Sequence, residues 1–228
     1  MELTTSQIQF IKDHATDDLT RLLLSAAKYP GMDIPFLVDQ IAVRRQIREK
    51  LPSWFENGQL VFPAKIAAEQ CSSEQTAAYK QELIGESWTI CDLTGGLGVD
   101  SWAFSEVAEE VLYNEMNPAL AAAARHNFKA LGVTNIFIRN SEATSDSLKD
   151  IFGDFRPDVI FLDPARRDSA GKKVFLLEDC SPDVLKILPE LFGISRFVLL
   201  KLSPMADITM AVERLDRTYS TESVYQNR

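Results

Sequence analysis

Over residues 1 to 82 apolar side chains recur at three- and four-residue spacing, the period of helices with one buried face. Ile8 and Ile11 open the first stripe, and Leu19, Leu22, Leu23 and Ala26 continue it. Tyr29-Pro30-Gly31-Met32-Asp33 is a break. A second helix is predicted over Ile34 to Lys50, with Leu37, Val38, Ile41 and Ile47 inward and Pro52 ending it. A third element includes Ala64 to Ala68, and a fourth runs around Glu74 to Ile84. After Gly85 the period changes. Short β-rich runs at Trp88–Asp92, Glu110–Asn114, Asn135–Arg139, Asp158–Asp163 and Arg196–Lys201 alternate with helical ones. The predicted helices are Val99–Val107, Pro118–Leu131, Ser145–Ile151, Pro182–Leu191 and Met205–Arg214. Such alternation predicts a doubly wound, mostly parallel α/β sheet, with ligands at the carboxyl ends of its strands. Thr218 to Gln226 is partly alternating and could begin a sixth strand.

The change of period divides the chain into a small helical N-terminal domain, 1–82, and an α/β domain, 83–228. The 228 residues are 46% apolar, enough for a substantial core. The sheet is expected to be unfinished at its C-terminal edge, as in a piece of a longer protein. Cys71, Cys91 and Cys180 are scattered and there are only two histidines, so neither a disulfide framework nor a metal site is expected. No apolar run reaches the ~18–20 residues of a membrane span. The polar start MELTTSQIQF has no signal character. A reducing cytoplasm is the expected setting.

The first strand ends Asp92-Leu-Thr94-Gly95-Gly96-Leu-Gly98 and leads into a helix. Glycines let a backbone turn tightly against a ligand, and a helix start adds a partial positive charge. The spacing is not the G-x-G-x-x-G of dinucleotide loops. An acid just before the loop suits an ammonium group better than a pyrophosphate. A ligand-free strand-to-helix turn is the plain alternative. The loop resembles the first motif of class I S-adenosylmethionine (SAM)-dependent methyltransferases, with Thr94 where that family has its first glycine. A threonine is tolerable there if its φ is negative.

The resemblance implies a Rossmann-like fold with SAM as cofactor. Asp92, Thr94, Gly95, Gly96 and Gly98 would hold its methionine part. Glu115, twenty-three residues beyond Asp92 at the end of the second strand, can accept hydrogen bonds from ribose hydroxyls, with Met116 beside it. The same geometry would serve NAD. Asn140, Ser141 and Glu142 after the third strand would lie near the adenine.

The segment Asp163-Pro164-Ala165-Arg166-Arg167 ends a fully apolar strand. An acid followed by proline marks the active site in this superfamily, and Pro164 stiffens the loop by fixing its own φ. Asp163 would orient the target group. Arg166 stands where amine methyltransferases carry a base-stacking aromatic, and a guanidinium can stack on a base or clamp phosphate. Asp-Pro-Ala-Arg also resembles uracil-5-methyltransferases, but the cysteine nucleophile they need is missing from the fifth strand end, Leu199-Leu200-Lys201-Leu202-Ser203. Lys201 is either a catalytic lysine, as in ribose 2′-O-methyltransferases, or a surface lysine. The whole pattern resembles bacterial methyltransferases with a helical N-terminal region and a C-terminal THUMP-like RNA-binding module; that module is absent from this sequence.

The net charge of -9 argues against nucleic-acid binding through bulk charge. Two basic clusters stand against it: Arg44, Arg45, Arg48 and Lys50, and Arg166, Arg167, Lys172 and Lys173. Each is either a solvated face or a phosphate contact. The second adjoins the acid–proline motif, which favours an RNA substrate methylated on a base nitrogen. The alternatives are a small-molecule or protein methyltransferase, a ribose 2′-O-methyltransferase, and a non-catalytic RNA-binding module retaining the SAM fold.

Overall fold

Short polar caps start most of the helices that precede the sheet. Thr4 and Gln7 form a reciprocal capping box on α1 (Thr5–Asp13). Asp18 caps α2 (Leu19–Leu24), which a 3₁₀ turn at Ala26–Lys28 follows. Asp33 caps α3 (Ile34–Ile47). Next come α4 (Pro52–Glu56), α5 (Lys65–Gln70) and α6 (Glu74–Gln81), the last capped by Ser73. Pro52 does more than end the second helix; it occupies the first position of α4, where its missing N–H costs nothing. In six-residue α2 only Leu22 is buried, and Leu23 of the predicted stripe is exposed. The computed structural model describes residues 2–63, 65–166, 177, 180–203 and 206–216. The possible sixth strand, Arg167, Lys172, Lys173 and the side chain of Arg166 lie outside the described residues.

The second part is built from β1 (Thr89–Asp92), α7 (Val99–Ser105), β2 (Glu110–Asn114), α8 (Pro118–Ala130), β3 (Ile136–Arg139), α9 (Leu148–Phe152), β4 (Val159–Leu162), α10 (Val184–Ile194), β7 (Phe197–Leu200) and α11 (Ile208–Asp216). Two-residue strands β5 (Ala165–Arg166) and β6 (Cys180–Ser181) pair antiparallel between β4 and α10. The main sheet is parallel, in the order β3-β2-β1-β4-β7. The order reverses between β1 and β4, which puts the topological switch point at their carboxyl ends. Side chains alternate across the sheet. Cys91, Leu112 and Ile160 pack against α9 and α10, while Ile90, Val111 and Phe161 pack with Phe104 of α7.

The core does not stop at residue 82. Val43, Ile47, Leu51, Trp54 and Phe62 share one apolar cluster with Leu97, Val99 and Ala103. Trp54 meets Trp102 edge-on at 6.1 Å between ring centroids. The extended segment Leu60-Val61-Phe62 is fully buried without belonging to a sheet. Its backbone is paired by side-chain amides instead. Asn127 of α8 accepts from Val61 N at 2.8 Å and donates to Val61 O at 2.9 Å. Gln40 of α3 does the same for Phe62, at 3.0 and 2.8 Å.

The first basic cluster is structural. Arg44, lowered by burial to a pKa of about 10, donates to the carbonyls of Asn57, Gly58 and Leu60. Arg45 donates to Ala15, His14 and Asp17 carbonyls, and Lys50 to those of Ala68 and Glu69. Arg48 lies over the Phe55 ring. Arg44, Arg45 and Lys50 thus tie chain segments together through backbone carbonyls.

Replacing Asn127 by Leu would leave a buried N–H and a buried C=O of Val61 unpaired, at roughly 1–3 kcal/mol for each. Urea unfolding should therefore show a loss of about 2–6 kcal/mol. A loss below about 0.5 kcal/mol would mean that the segment does not depend on this pairing.

Candidate active site

The glycine loop is shaped by two aromatic rings. A Cβ on Gly95 would stand 2.2 Å from the Tyr113 ring, and one on Gly98 would stand 2.7 Å from Phe128. Gly98 also has φ +92° as it starts α7, a conformation that L side chains rarely adopt. The Tyr113 hydroxyl donates to Gly96 O at 2.6 Å, and burial raises its pKa further. Thr94 keeps a φ that is not positive, so the departure from the glycine pattern brings no strain. Its hydroxyl accepts from Asp163 N at 2.7 Å, which bolts the glycine loop to the acid–proline loop.

Glu115 closes the other side. One carboxylate oxygen accepts from Gly96 N at 2.8 Å and the other from Asn117 N at 2.7 Å. Asn114, just before it, is 1% exposed. Its amide nitrogen donates to the carbonyls of Leu93 and Ser141, while its Oδ1 is buried without a partner. Asn140 donates to the carbonyls of Glu115 and Met116, bracing the turn that carries the acid.

Asp92 is fully buried beneath the loop. It accepts from Ser101 Oγ at 2.5 Å and from Thr94 N at 3.2 Å. Burial pushes its pKa up to about 7, against the pull of the Ser101 bond and with a further push from Asp100. Asp100 is ion-paired with Lys80 of α6 and accepts from Ser72 Oγ at 2.9 Å. Burial lowers the pKa of Lys80, and Asp100 opposes that shift. At the ends of β4 and β7, Lys201 Nζ meets Asp163 Oδ2 at 2.5 Å, both about one-third exposed. Pro164 is buried behind Asp163.

A cleft of about 270 Å³ opens over these strand ends. Of the residues singled out in the sequence, Thr94, Gly95, Gly96, Gly98, Glu115, Met116, Ser141, Glu142 and Asp163 line it. Asp92, Asn140, Pro164 and Lys201 are not part of that lining, but Asp92 bonds to Thr94, Asn140 to Glu115 and Met116, and Lys201 to Asp163. The backbone of Arg166 pairs in register with Cys180, and its side chain lies outside the described residues. Pattern reading missed Ser72, Cys71 and Ile66, which form a wall from the helical segment, and also Asn114 and Asp100. Asn114 directly precedes Glu115 and Asp100 lies two residues past Gly98, whereas Ser72 carries no local signal. Among the described residues no cluster of His, Cys, Asp and Glu could hold a metal ion, and no helix is long and apolar enough to cross a membrane.

No family model matches the chain. It is 30% identical over 181 residues to uncharacterized S-adenosylmethionine-dependent methyltransferases of two Mycobacterium tuberculosis strains, CDC 1551 and H37Rv. That match covers 78% of this chain and 47% of each relative. A crystal structure of a candidate methyltransferase from Porphyromonas gingivalis W83 superimposes with a TM-score of 0.79 at 32% identity, covering 92% of this chain and 51% of that one. The chain thus spans about half the length of the proteins it matches. With its parallel central sheet and flanking helices it has the Rossmann-like α/β fold of that structure.

Two outcomes follow from the geometry. Folded Asp92 keeps its proton up to a pH of about 7, whereas an unfolded aspartate releases it near 3.8. Stability therefore falls as pH rises through that interval, and Asp92→Asn should flatten the fall in urea titrations at pH 5 and 8. An equal slope in both proteins would rule out Asp92 as its source. Gly95→Ala drives a methyl group into Tyr113 and should cost on the order of 1–3 kcal/mol in thermal or urea unfolding.

Proposed function

We propose that this chain is the cofactor-binding and catalytic part of a SAM-dependent methyltransferase, and that its acceptor is RNA, methylated at a base nitrogen. The observation that carries the first half is Glu115, held by two backbone amides at the mouth of the glycine-loop cleft. The relatives named for SAM-dependent methyl transfer support the same reading.

The residues present fit this cofactor. When bound, SAM supplies an electrophilic methyl group on a sulfonium. Each Glu115 oxygen has one amide donor and capacity left for a ribose hydroxyl. The orphaned Asn114 Oδ1 can accept from a ligand N–H, which would relieve the cost of burying it unpaired. Ser141, Glu142 and Ala143 offer a wall for the adenine.

Methyl transfer is an in-line displacement, so alignment matters more than acid–base strength. Through the Thr94–Asp163 bond, the loop that binds the donor and the loop that orients the acceptor move as one. Lys201 holds one Asp163 oxygen, which leaves the other to accept from a target N–H. RNA is supported by the sequence position of Arg166, Arg167, Lys172 and Lys173, all within nine residues after the acid–proline pair. The Asp163–Lys201 pair favours ribose 2′-O-methylation as a second reading, because a lysine beside the acid can assist removal of a hydroxyl proton.

Calorimetry should detect SAM binding by the folded chain, and Glu115→Ala should weaken it by about 1–3 kcal/mol. No binding at millimolar SAM would end the cofactor reading. Asp163→Asn should keep SAM affinity and slow transfer by on the order of 10²-fold. The acceptor is tested by supplying labelled SAM and RNA from cells lacking the gene. Label on a base supports the proposal, label on a ribose supports the second reading, and no label on RNA overturns both.

A further inference from the structure

Lys80 has no place in the chemistry above, yet it is among the most deeply buried charges in the molecule. Its side chain is 7% exposed, and its partner Asp100 is 11% exposed. Lys80 Nζ pairs with Asp100 and donates to Ser72 Oγ at 2.7 Å. Ser72 Oγ in turn donates to Asp100 Oδ2 at 2.9 Å. Three residues thus close a triangle of polar contacts. A fourth contact puts the ammonium 5.0 Å from the centre of the Phe161 ring on β4.

The corners of the triangle lie on three different segments, two of which reach the cleft. Lys80 is on α6, and Ser72 ends the turn between α5 and α6. Asp100 is in the first turn of α7, directly after the glycine loop. Ser72 and Asp100 both line the cleft, and Gln70 and Cys71 extend the same wall. The residue after Asp100 is Ser101, which holds Asp92. The triangle therefore sets the distance between a wall made by the helical segment and the loop that faces the ligand. An isolated buried ion pair seldom stabilises a fold more than an apolar pair would, so stability alone is a poor reason to keep one here.

We propose that Lys80 is a positioning residue of the cofactor cleft, acting through Ser72 and Asp100 to hold the α5–α6 wall against the glycine loop. The helical segment is then part of the cofactor site itself. This inference rests on the SAM reading of the cleft.

The test is equilibrium binding of S-adenosylhomocysteine to the full chain by calorimetry, with far-ultraviolet circular dichroism confirming the fold of each variant. Lys80→Met should raise Kd at least tenfold, and Lys80→Arg, which keeps the charge, should stay within about threefold of the parent. Ser72→Ala should raise Kd about threefold or more, and the double variant Lys80→Met/Ser72→Ala should bind no worse than Lys80→Met alone, because both act through one triangle. Folded Lys80→Met with the parent's Kd overturns the role of Lys80. Should Lys80→Met not fold, Ser72→Ala decides: an unchanged Kd overturns the proposal and a raised one supports it. An unaltered chain that binds neither S-adenosylhomocysteine nor SAM overturns the cofactor reading and takes this inference with it.

Discussion

Glu115, through its carboxylate and its backbone, joins three turns that would otherwise be independent. It takes the amide of Gly96 from the first loop and the amide of Asn117 from its own loop, and Asn140 of the third loop clasps the carbonyls of Glu115 and Met116. A parallel sheet releases all its strands at one edge, so the polar ends of β1, β2 and β3 have to satisfy one another there. The cleft is the space left once they have. Its shape follows from that accounting together with the Tyr113 and Phe128 rings that dictate where glycine must stand.

Electrostatics inside the molecule differ from what the net charge implies. Asp92, Asp100, Glu115 and Asp163 at the cleft are buried, hydrogen-bonded or paired, so they add little to an external field. Arg44 is buried, and Arg45 and Lys50 have their donors committed to carbonyl oxygens, which fixes where these cations point. Formal charge at neutral pH is thus a poor guide to which polyions this surface attracts. The arrangement of cations left over matters more.

The sheet was legible because each strand is a local apolar run with a polar stop. All five predicted strands are present; Glu110–Asn114 has its predicted bounds and the other four are one or two residues shorter. The glycine loop, Glu115 and Asp163 were legible for the same reason, being strand ends with a simple chemical character. The sequence neighbourhood of Asn140 points to the adenine, whereas the fold commits its amide nitrogen to two carbonyls. Lys80 and Ser72 were not legible, because their partner Asp100 is twenty or more residues away and a lysine among polar neighbours looks like surface. The arginines of α3 read as a cluster for the same reason. Their carbonyl partners belong to segments whose proximity only the fold creates. β5 and β6, two residues each, are too short to leave a pattern.

The pairing of Val61 and Phe62 by Asn127 and Gln40 has a bearing on how the chain could be cut. Two amide side chains imitate the neighbours a strand would have, one from α3 before the change of period and one from α8 well after it. Severing the chain near residue 82 would strip Val61 of its partner and expose the shared tryptophan core on both pieces. The break that is plain in the sequence is therefore a change of secondary structure across a continuous interior. In a denaturation experiment the two parts should melt as one cooperative unit, and in evolution the helical segment would be hard to exchange for another.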